Sequence, residues 1–283
     1  MAKISILITN YNSGKYFNDC HNSLINQSYK DWEAIIVDDG STDNSVEVIK
    51  QLIKDDNRFL FYQNLSKIGC SSAKKKCIVL ATGDICAYLD PSDVLFTNAI
   101  QKSMEQYTTN YSIVATYSKL MLCDKKMVPQ KIIKGTGKIY NNNFFFNWPT
   151  QISHFFTFKR SAYLKTVGIN TDLETSVEQD LFLKIVEMGN IKFVDEILYK
   201  SRFSYDGILQ EDEKYKRYYS SMFIIYDAMK RRGITEINNV KIPDFYEGPD
   251  QIHHLIRYQD TYLYKLKVRI KLLLKNNLFV NTI

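Results

Sequence analysis

Four groups of acidic or polar residues stand where the chain leaves an apolar run or enters a helical one. They are Asp38-Asp39, Asp90 with Ser92 and Asp93, His154, and Glu178 with Asp180. A carboxylate just past a strand can accept the N3–H of a uracil or hold a divalent cation, since both need hard oxygen acceptors. Asp in such a place also terminates strands and caps helices. Asp43 is read as a cap of this kind. Capping explains one carboxylate of the pair before Gly40-Ser41-Thr42 and leaves the other for chemistry. His154 precedes an aromatic run, where a lone His is more often structural. Trp148, in Phe-Phe-Phe-Asn-Trp-Pro-Thr, has the flat face that a pyranose prefers, and a loop-anchoring Trp fits equally well.

The elements that must position these groups follow from apolar patterning. Ile4–Thr9, Trp32–Val37, Phe59–Tyr62 and Ile85–Leu89 are short apolar runs of the kind found in strands buried on both faces. Helical spacing fills the intervals: about Tyr16 to Asn26, a stretch from Thr42 or Asp43 with Val46, Ile49 and Ile53 as its stripe, and Ser71–Ala81. Strand and helix alternating over the first ~110 residues predicts an α/β fold with a mainly parallel central sheet flanked by helices. In such sheets ligands bind off the carboxyl ends of the strands, where Thr9, Tyr11, Asp38, Asp39, Asp90 and Asp93 fall. No G-x-G-x-x-G follows the first strand and no P-loop motif occurs, which disfavours dinucleotide enzymes and P-loop NTPases. Farther along, Ile113–Tyr117 and His154–Lys159 read as strands, Lys131–Asn143 as loop, Glu178–Met188 as a helix, and Ile191–Val194 and Ile197–Tyr199 as two short strands.

The chain has 283 residues and a net charge of +6, but the charge is local. From Gln251 onward six Lys and Arg face one acid, Asp260, which leaves the first 250 residues near neutral. A nucleic-acid binder spreads its cations over the main fold, so no nucleic-acid partner is expected. Five cysteines, an odd number without a C-x-x-C pair, fit free thiols in a reducing compartment. The N-terminal apolar run is too short for a signal peptide or a membrane span, and a cytoplasmic protein is expected.

Six segments in register over about 200 residues, from Ile4 to Arg202, resemble the family 2 glycosyltransferases. They are ISILITNYN, QSY at Gln27–Tyr29, WEAIIVDDGSTDNS, IGCSSAKKK, TGDICAYLDPSD and VEQDLFLKIVEMGNIKFVDEILYKSR. The resemblance implies a GT-A fold in residues 1–205. A nucleotide-sugar half (1–110) would be joined to an acceptor half (111–205), transferring a sugar from a nucleotide-diphosphate donor with inversion. It implies that Thr9 and Tyr11 line the base pocket, that Asp39 reads the base edge and that Asp38 supports the loop. Asp90 opens the D-x-D motif beside the ribose and diphosphate, and Lys74 stands where an Arg is usual. His154 and Trp148 fall on the acceptor side.

The chain departs from that family's pattern in two places. Ser92 replaces the second carboxylate of D-x-D, and Ser204 stands where a His is frequent. A hard dication such as Mn2+ or Mg2+ is held weakly by hydroxyls alone, which leaves Asp93 and Asp90 as candidate ligands or Lys74 as a substitute charge. The motif E-D-x-D-L reads Val177-Glu178-Gln179-Asp180-Leu181 here, which places Glu178 at the position of the general base, with Asp180 as the alternative.

Residues 206–283 form a helical basic extension on this reading. Lys214–Arg232 is a helix stopped by Gly233, and the last helix, about Thr261 to Asn276, gathers Leu263, Leu266, Ile270, Leu273 and Leu274 on one stripe among cations. Such a helix suits an anionic membrane surface, the inner face of the membrane for a cytoplasmic protein, or packing on protein. The sequence thus predicts transfer, from a UDP-sugar, onto a glycan or lipid-linked glycan in surface polysaccharide assembly. The rival is a sugar-nucleotide-binding partner subunit that has lost turnover.

Overall fold

The computed structural model describes residues 2–203 and 211–280, with side chains described through 274. Ser204, Tyr205 and the segment around the expected boundary at 205 lie outside the described residues.

The first half alternates as the patterning predicts: Ile4–Asn10 (β1), Gly14–Ile25 (α1), Trp32–Asp38 (β2), Ser45–Ile53 (α2), Phe59–Gln63 (β3), Cys70–Leu80 (α3) and Ile85–Tyr88 (β4). Next come Val94–Leu95 (β5), Ala99–Thr109 (α4), Ile113–Cys123 (β6), Pro129–Ile132 (β7), Thr157–Lys159 (β8), Arg160–Tyr163 (α5), Val177–Val186 (α6) and Asn190–Arg202 (β9). The chain ends with Glu211–Arg231 (α7), the hairpin Glu236–Ile237 (β10) and Val240–Lys241 (β11), Pro249–Ile256 (α8) and Tyr262–Val280 (α9).

Among the described residues one nine-stranded sheet runs in the order β3-β2-β1-β4-β8-β6-β9-β5, with β7 paired on β6. The β3-β2-β1-β4 half is parallel throughout. In the other half β8 runs antiparallel to β4 and β6, while β9 returns parallel to β6. Side chains alternate between two cores, as the two-residue period requires. Ile4, Ile6 and Ile8 face Phe17, Leu24, Ile49 and Ile53 of α1 and α2. Leu7, Ile35, Val37, Cys86 and Tyr88 face Ala73 and Cys77 of α3. Because α1 and α2 cover one face and α3 the other, the connection reverses between β1 and β4. That reversal opens a crevice at the carboxyl ends of β1, β2 and β4, the place where such sheets take ligands.

Four sequence expectations need correction. The strand expected over 154–159 begins only at Thr157. The segment read as loop at 131–143 opens with the end of β7, whose residues are all exposed and carry no apolar face to betray a strand. The expected strand at 113–117 continues to Cys123. The two short strands at 191–194 and 197–199 are one strand, β9, bridged by exposed Asp195 and Glu196 where the register with β6 shifts at Ser118–Leu120.

The helix α7 is not peripheral. Met222, Ile225, Ala228 and Met229 are fully buried in the same core as Phe156, Phe158 and Leu183. Glu187 at the end of α6 pairs with both Arg231 and Arg232, and Arg232 donates to the carbonyls of Asn143 and Phe145. Gly233, at φ +64°, ends the helix in the left-handed conformation expected of a glycine stop.

Candidate active site

The D-D-G-S turn is built around Asp38. Its carboxylate accepts hydrogen bonds from Asn10 Nδ2 (2.7 Å), the Ser41 backbone N–H (3.0 Å) and Ser41 Oγ (2.5 Å), which locks the turn after β2 to the end of β1. Asp39 points elsewhere. Buried, it accepts from Asn64 Nδ2 (3.0 Å) and from the backbone N–H groups of Ile68 (2.8 Å) and Gly69 (2.9 Å). Lys76 in turn donates to Asn64 Oδ1 at 2.6 Å. Gly40 makes this junction sterically feasible. It sits at φ +74°, and a Cβ there would come within 2.7 Å of the Ser66 carbonyl carbon. The turn and the 64–69 loop are therefore pressed together as one wall.

Thr9 lies at the end of β1 and Tyr11 just beyond it, with Tyr11 39% exposed. Lys67 Nζ rests 4.0 Å from the centroid of the Tyr11 ring, a cation–π contact from a flexible, exposed side chain that a stacking base would displace.

Helix α3 starts directly from this wall, at Gly69-Cys70, and carries Lys74. Lys74 is 4% exposed, and its Nζ lies 2.7 Å from Glu178 Oε1, 4.0 Å from Asp90 Oδ1 and 4.5 Å from the centre of the Tyr88 ring. Burial works against charge on both members of the Lys74–Glu178 pair, but their mutual attraction prevails. The Lys74 ammonium is held above its ordinary range, and Lys74 and His154 hold the Glu178 carboxyl down at about 2. Ser176, at φ +61°, is the αL residue that turns the chain into α6 and sets Glu178 at its first turn.

His154 completes the group. Its ring stacks on Tyr199 at 5.0 Å and meets Phe182 edge-on, while Tyr199 Oη accepts the Asp90 backbone N–H at 3.3 Å. Burial pushes the imidazole below its ordinary range despite Asp90 and Glu178, and its buried Nδ1 has no hydrogen-bond partner. The structure thus brings Lys74, Asp90, Glu178 and His154 into one cluster, while Thr9, Tyr11 and Asp39 stand at the carboxyl ends of β1 and β2, joined to it through the start of α3.

Two of the expected residues stand apart. Asp180 is 2% exposed and bonded to Lys184 Nζ (2.7 Å) and the Asn170 N–H (3.2 Å), while Lys184 also reaches the Gly168 carbonyl. Its carboxylate braces α6 against the 168–170 turn. Trp148 donates from Nε1 to Asp260 Oδ2 at 3.2 Å and packs edge-on to His253, so it ties the middle loop to the C-terminal helices.

The candidate cation ligands also divide. Asp90 has a side chain 49% exposed, with oxygens free for a ligand apart from the distant Lys74 contact. This fits a site in which one carboxylate, phosphate oxygens and water share a dication. Asp93 does not fit. It is buried and accepts the Arg202 backbone N–H at 2.8 Å, and burial together with Asp90 lifts it to about 7. Arg202 also donates from Nε to the Ser92 carbonyl and pairs with Asp19, so the D-P-S-D turn is clamped by β9. No group of three or more His, Cys, Asp or Glu suited to a metal occurs among the described residues.

Sequence reasoning missed Asn64, Lys67, Tyr199 and Arg202. All four act across the fold, on partners that local pattern does not reveal.

Comparison with known proteins agrees with this architecture. The chain is 27% identical over 257 residues to the hyaluronan synthase of Pasteurella multocida, covering 87% of this chain and 25% of the synthase. It is 28% identical over 206 residues to the chondroitin synthase of Escherichia coli, covering 69% of this chain and 28% of that enzyme. The chain therefore spans about a quarter of the length of these relatives. Among solved structures, S. aureus TarS 1–349 in complex with UDP superposes with a TM-score of 0.64 at 17% identity, covering 92% of this chain and 72% of that one. The mannosyltransferase PcManGT of Pyrobaculum calidifontis, in complex with GDP-Man and Mn2+, superposes with a TM-score of 0.61 at 12% identity, covering 91% and 69%. These neighbours share the GT-A fold. The sequence profile of glycosyl transferase family 2 matches residues 5–166, more than half of the chain, and the chain belongs to that family.

Proposed function

We propose that the chain transfers a sugar from a UDP-sugar to a hydroxyl of a glycan acceptor, with inversion at the anomeric carbon. The observation that carries this reading is the Lys74–Glu178 contact, with Asp90 beside it, on a helix that starts from the Asp39 wall. An entering diphosphate offers Lys74 a second, doubly charged partner. As the ammonium swings toward the phosphate oxygens, Glu178 is released as a carboxylate able to accept a proton. The acceptor hydroxyl then attacks the anomeric carbon in line. Its proton passes to Glu178, the carbon–oxygen bond to the diphosphate breaks, and UDP leaves with its charge opposed by Lys74.

Tyr11 supplies a face for the base and Asp39 an acceptor edge, which favours uracil. Thr9 closes the pocket beside them, and Ser92 lies in the turn that presents Asp90. The UDP and UDP-GlcNAc complexes of TarS support a UDP donor, while the GDP-Man complex of PcManGT makes guanine the comparison to run. A dication bound by Asp90, Mn2+ or Mg2+, would neutralise diphosphate charge there. The acceptor enters from the His154 side. Relatives named as polysaccharide synthases support an acceptor in polysaccharide assembly.

The outward face of α9 supports peripheral contact with a membrane carrying such acceptors. Leu263, Leu266, Ile270, Leu273 and Leu274 are 39–75% exposed among Lys and Arg, and no helix among the described residues is long and apolar enough to cross a membrane.

The test is thermal stabilisation by UDP, GDP and CDP, each with and without Mn2+, joined to donor turnover in Glu178→Gln. A ligand at a hundred times its dissociation constant adds about 2.7 kcal/mol, so selective stabilisation by UDP is readily seen. Turnover should fall by a factor of about 10²–10⁴ in Glu178→Gln while UDP stabilisation persists. No shift with any nucleotide in folded protein would sink the donor site. UDP binding without turnover in the unaltered chain would favour the partner-subunit alternative.

A further inference from the structure

A second cavity, of about 630 Å3, opens between α9, the segment 134–138 after β7 and the loop 149–151. Lys134, Lys138, Lys265 and Arg269 line it, and no Asp or Glu is among the described residues that line it. Lys265 approaches Asp260 Oδ1 at 3.5 Å, but the other carboxylate oxygen of Asp260 is taken by Trp148. Four cations converging on one concavity repel one another, a cost that an anion filling the cavity relieves. Its volume is that of a site for a small ligand or a few sugar units. Half-buried Tyr264, held edge-on by Tyr258 at 5.1 Å, adds a flat face of the kind sugar rings stack on.

The cavity is joined to the acceptor side of the crevice. Thr136 Oγ1 meets Ser153 Oγ at 3.1 Å, and Ser153 directly precedes His154. Gln179, the neighbour of Glu178, holds Asn147 at 2.8 Å, and Asn147 Oδ1 accepts the backbone N–H groups of Gln151 and Ile152. The cavity wall at 151 is thus fastened to the helix that carries Glu178.

We infer that this cavity is a subsite for an anionic acceptor: it binds a carboxylate- or phosphate-bearing part of the glycan whose other end reaches His154 and Glu178. The inference rests on the transferase reading above. Arg269 offers a planar fork matched to carboxylate or phosphate oxygens, and the three lysines supply mobile point charges around it.

The experiment measures binding of three probes by calorimetry: a hexagalacturonate, its fully methyl-esterified form and inorganic pyrophosphate. Unaltered protein is compared with Lys138→Gln/Arg269→Gln and with Arg269→Glu. All of these residues are exposed, so the variants should fold. The expected result is uronate binding that is at least tenfold weaker for the ester and at least tenfold weaker in either variant. Pyrophosphate binding lost in the same variants would instead assign the anion to a phosphate-bearing acceptor, and also supports the subsite. Equal binding of acid and ester, binding unchanged in both variants, or no binding of any probe would overturn it. UDP stabilisation measured in the same samples reads the donor crevice alone. Its persistence beside absent probe binding condemns only the subsite, whereas its absence condemns the transferase reading independently.

Discussion

Lys74 Nζ stands between two carboxylates, 2.7 Å from Glu178 and 4.0 Å from Asp90, at a point where less than a twentieth of the lysine side chain meets solvent. One buried ammonium therefore holds the group proposed to accept a proton and neighbours the group proposed to receive the donor. Removing it should disturb both. In Lys74→Met, kcat/KM for donor should fall by tenfold or more. Burial, no longer opposed by the ammonium, should raise the Glu178 carboxyl, so the acid limb of the kcat/KM profile should move to higher pH. A pH–rate series on both proteins checks this, and an unmoved acid limb would remove Glu178 from the role of base.

The two acidic residues of α6 should separate cleanly. Glu178→Gln should lower turnover by a factor of about 10²–10⁴, the usual worth of a general base, and should also cost stability, because buried Lys74 then keeps only the Asp90 carboxylate at 4.0 Å. Asp180→Asn leaves Lys184 buried without its carboxylate, and should cost about 3–5 kcal/mol of stability. Turnover per folded molecule should survive in Asp180→Asn. Urea unfolding beside donor-consumption assays reads both quantities.

A carboxylate remote from the crevice should govern acid stability. Glu33 is 4% exposed and takes hydrogen bonds from Lys3 (2.6 Å), Ser5 (2.6 Å) and the Thr82 backbone N–H (2.7 Å). Burial pushes its carboxyl up, but these donors hold it down at about 2. Because the folded value lies below the unfolded one, the stabilisation is full above about pH 5 and is lost as pH falls toward 2. Glu33→Gln should cost about 2 kcal/mol near neutrality, with the gap from the unaltered protein closing steadily below pH 4.5. Denaturation midpoints at pH 7, 4 and 3 test the sign.

Gly40→Ala should act on affinity as well as on stability. The new methyl must avoid the Ser66 backbone in a left-handed conformation, which costs about 1–3 kcal/mol or pushes the turn away from the 64–69 loop. Because that wall carries Asp39, UDP affinity should fall by about tenfold or more. UDP titration of the folded variant would decide it, and unaltered affinity would show that the wall does not bind the base.

On α9, Leu263→Ser/Leu266→Ser/Ile270→Ser should lower co-sedimentation with vesicles containing anionic lipid while leaving melting nearly unchanged, since these side chains are already exposed. Equal sedimentation of both proteins would detach the helix from any membrane role.

Legibility in the sequence followed the range of the interactions. The strands β1, β2 and β4 are short apolar runs whose ends carry the acidic turns, and both appear in the sequence because each is local. The supporting role expected of Asp38 rests on Asn10 and Ser41, one of them three residues away. The grip of Asp39 on Asn64, Ile68 and Gly69 spans 25–30 residues and leaves no local trace. Strand β7 has no buried face, and β9 hides its continuity behind Asp195 and Glu196, where Lys119 of β6 pairs with Asp195. The hairpin β10–β11 turns on Asn238-Asn239, both at positive φ, a signal short enough to pass unnoticed between helices.

The burial of α7 has a consequence for how the protein comes into being on the ribosome. The face of the sheet under α1 and α2 is complete once Val194, Leu198 and Tyr199 of β9 have emerged, and that layer can close before α7 is made. The opposite face stays open until Met222, Ile225 and Met229 arrive, almost sixty residues after the end of the family match at 166. Until then the side of α6 that α7 packs on is open to water, and a nascent chain is most open to wrong partners there. A fragment cut at the expected boundary of 205 should therefore expose that surface permanently and precipitate, even though it keeps Lys74, Asp90, His154 and Glu178.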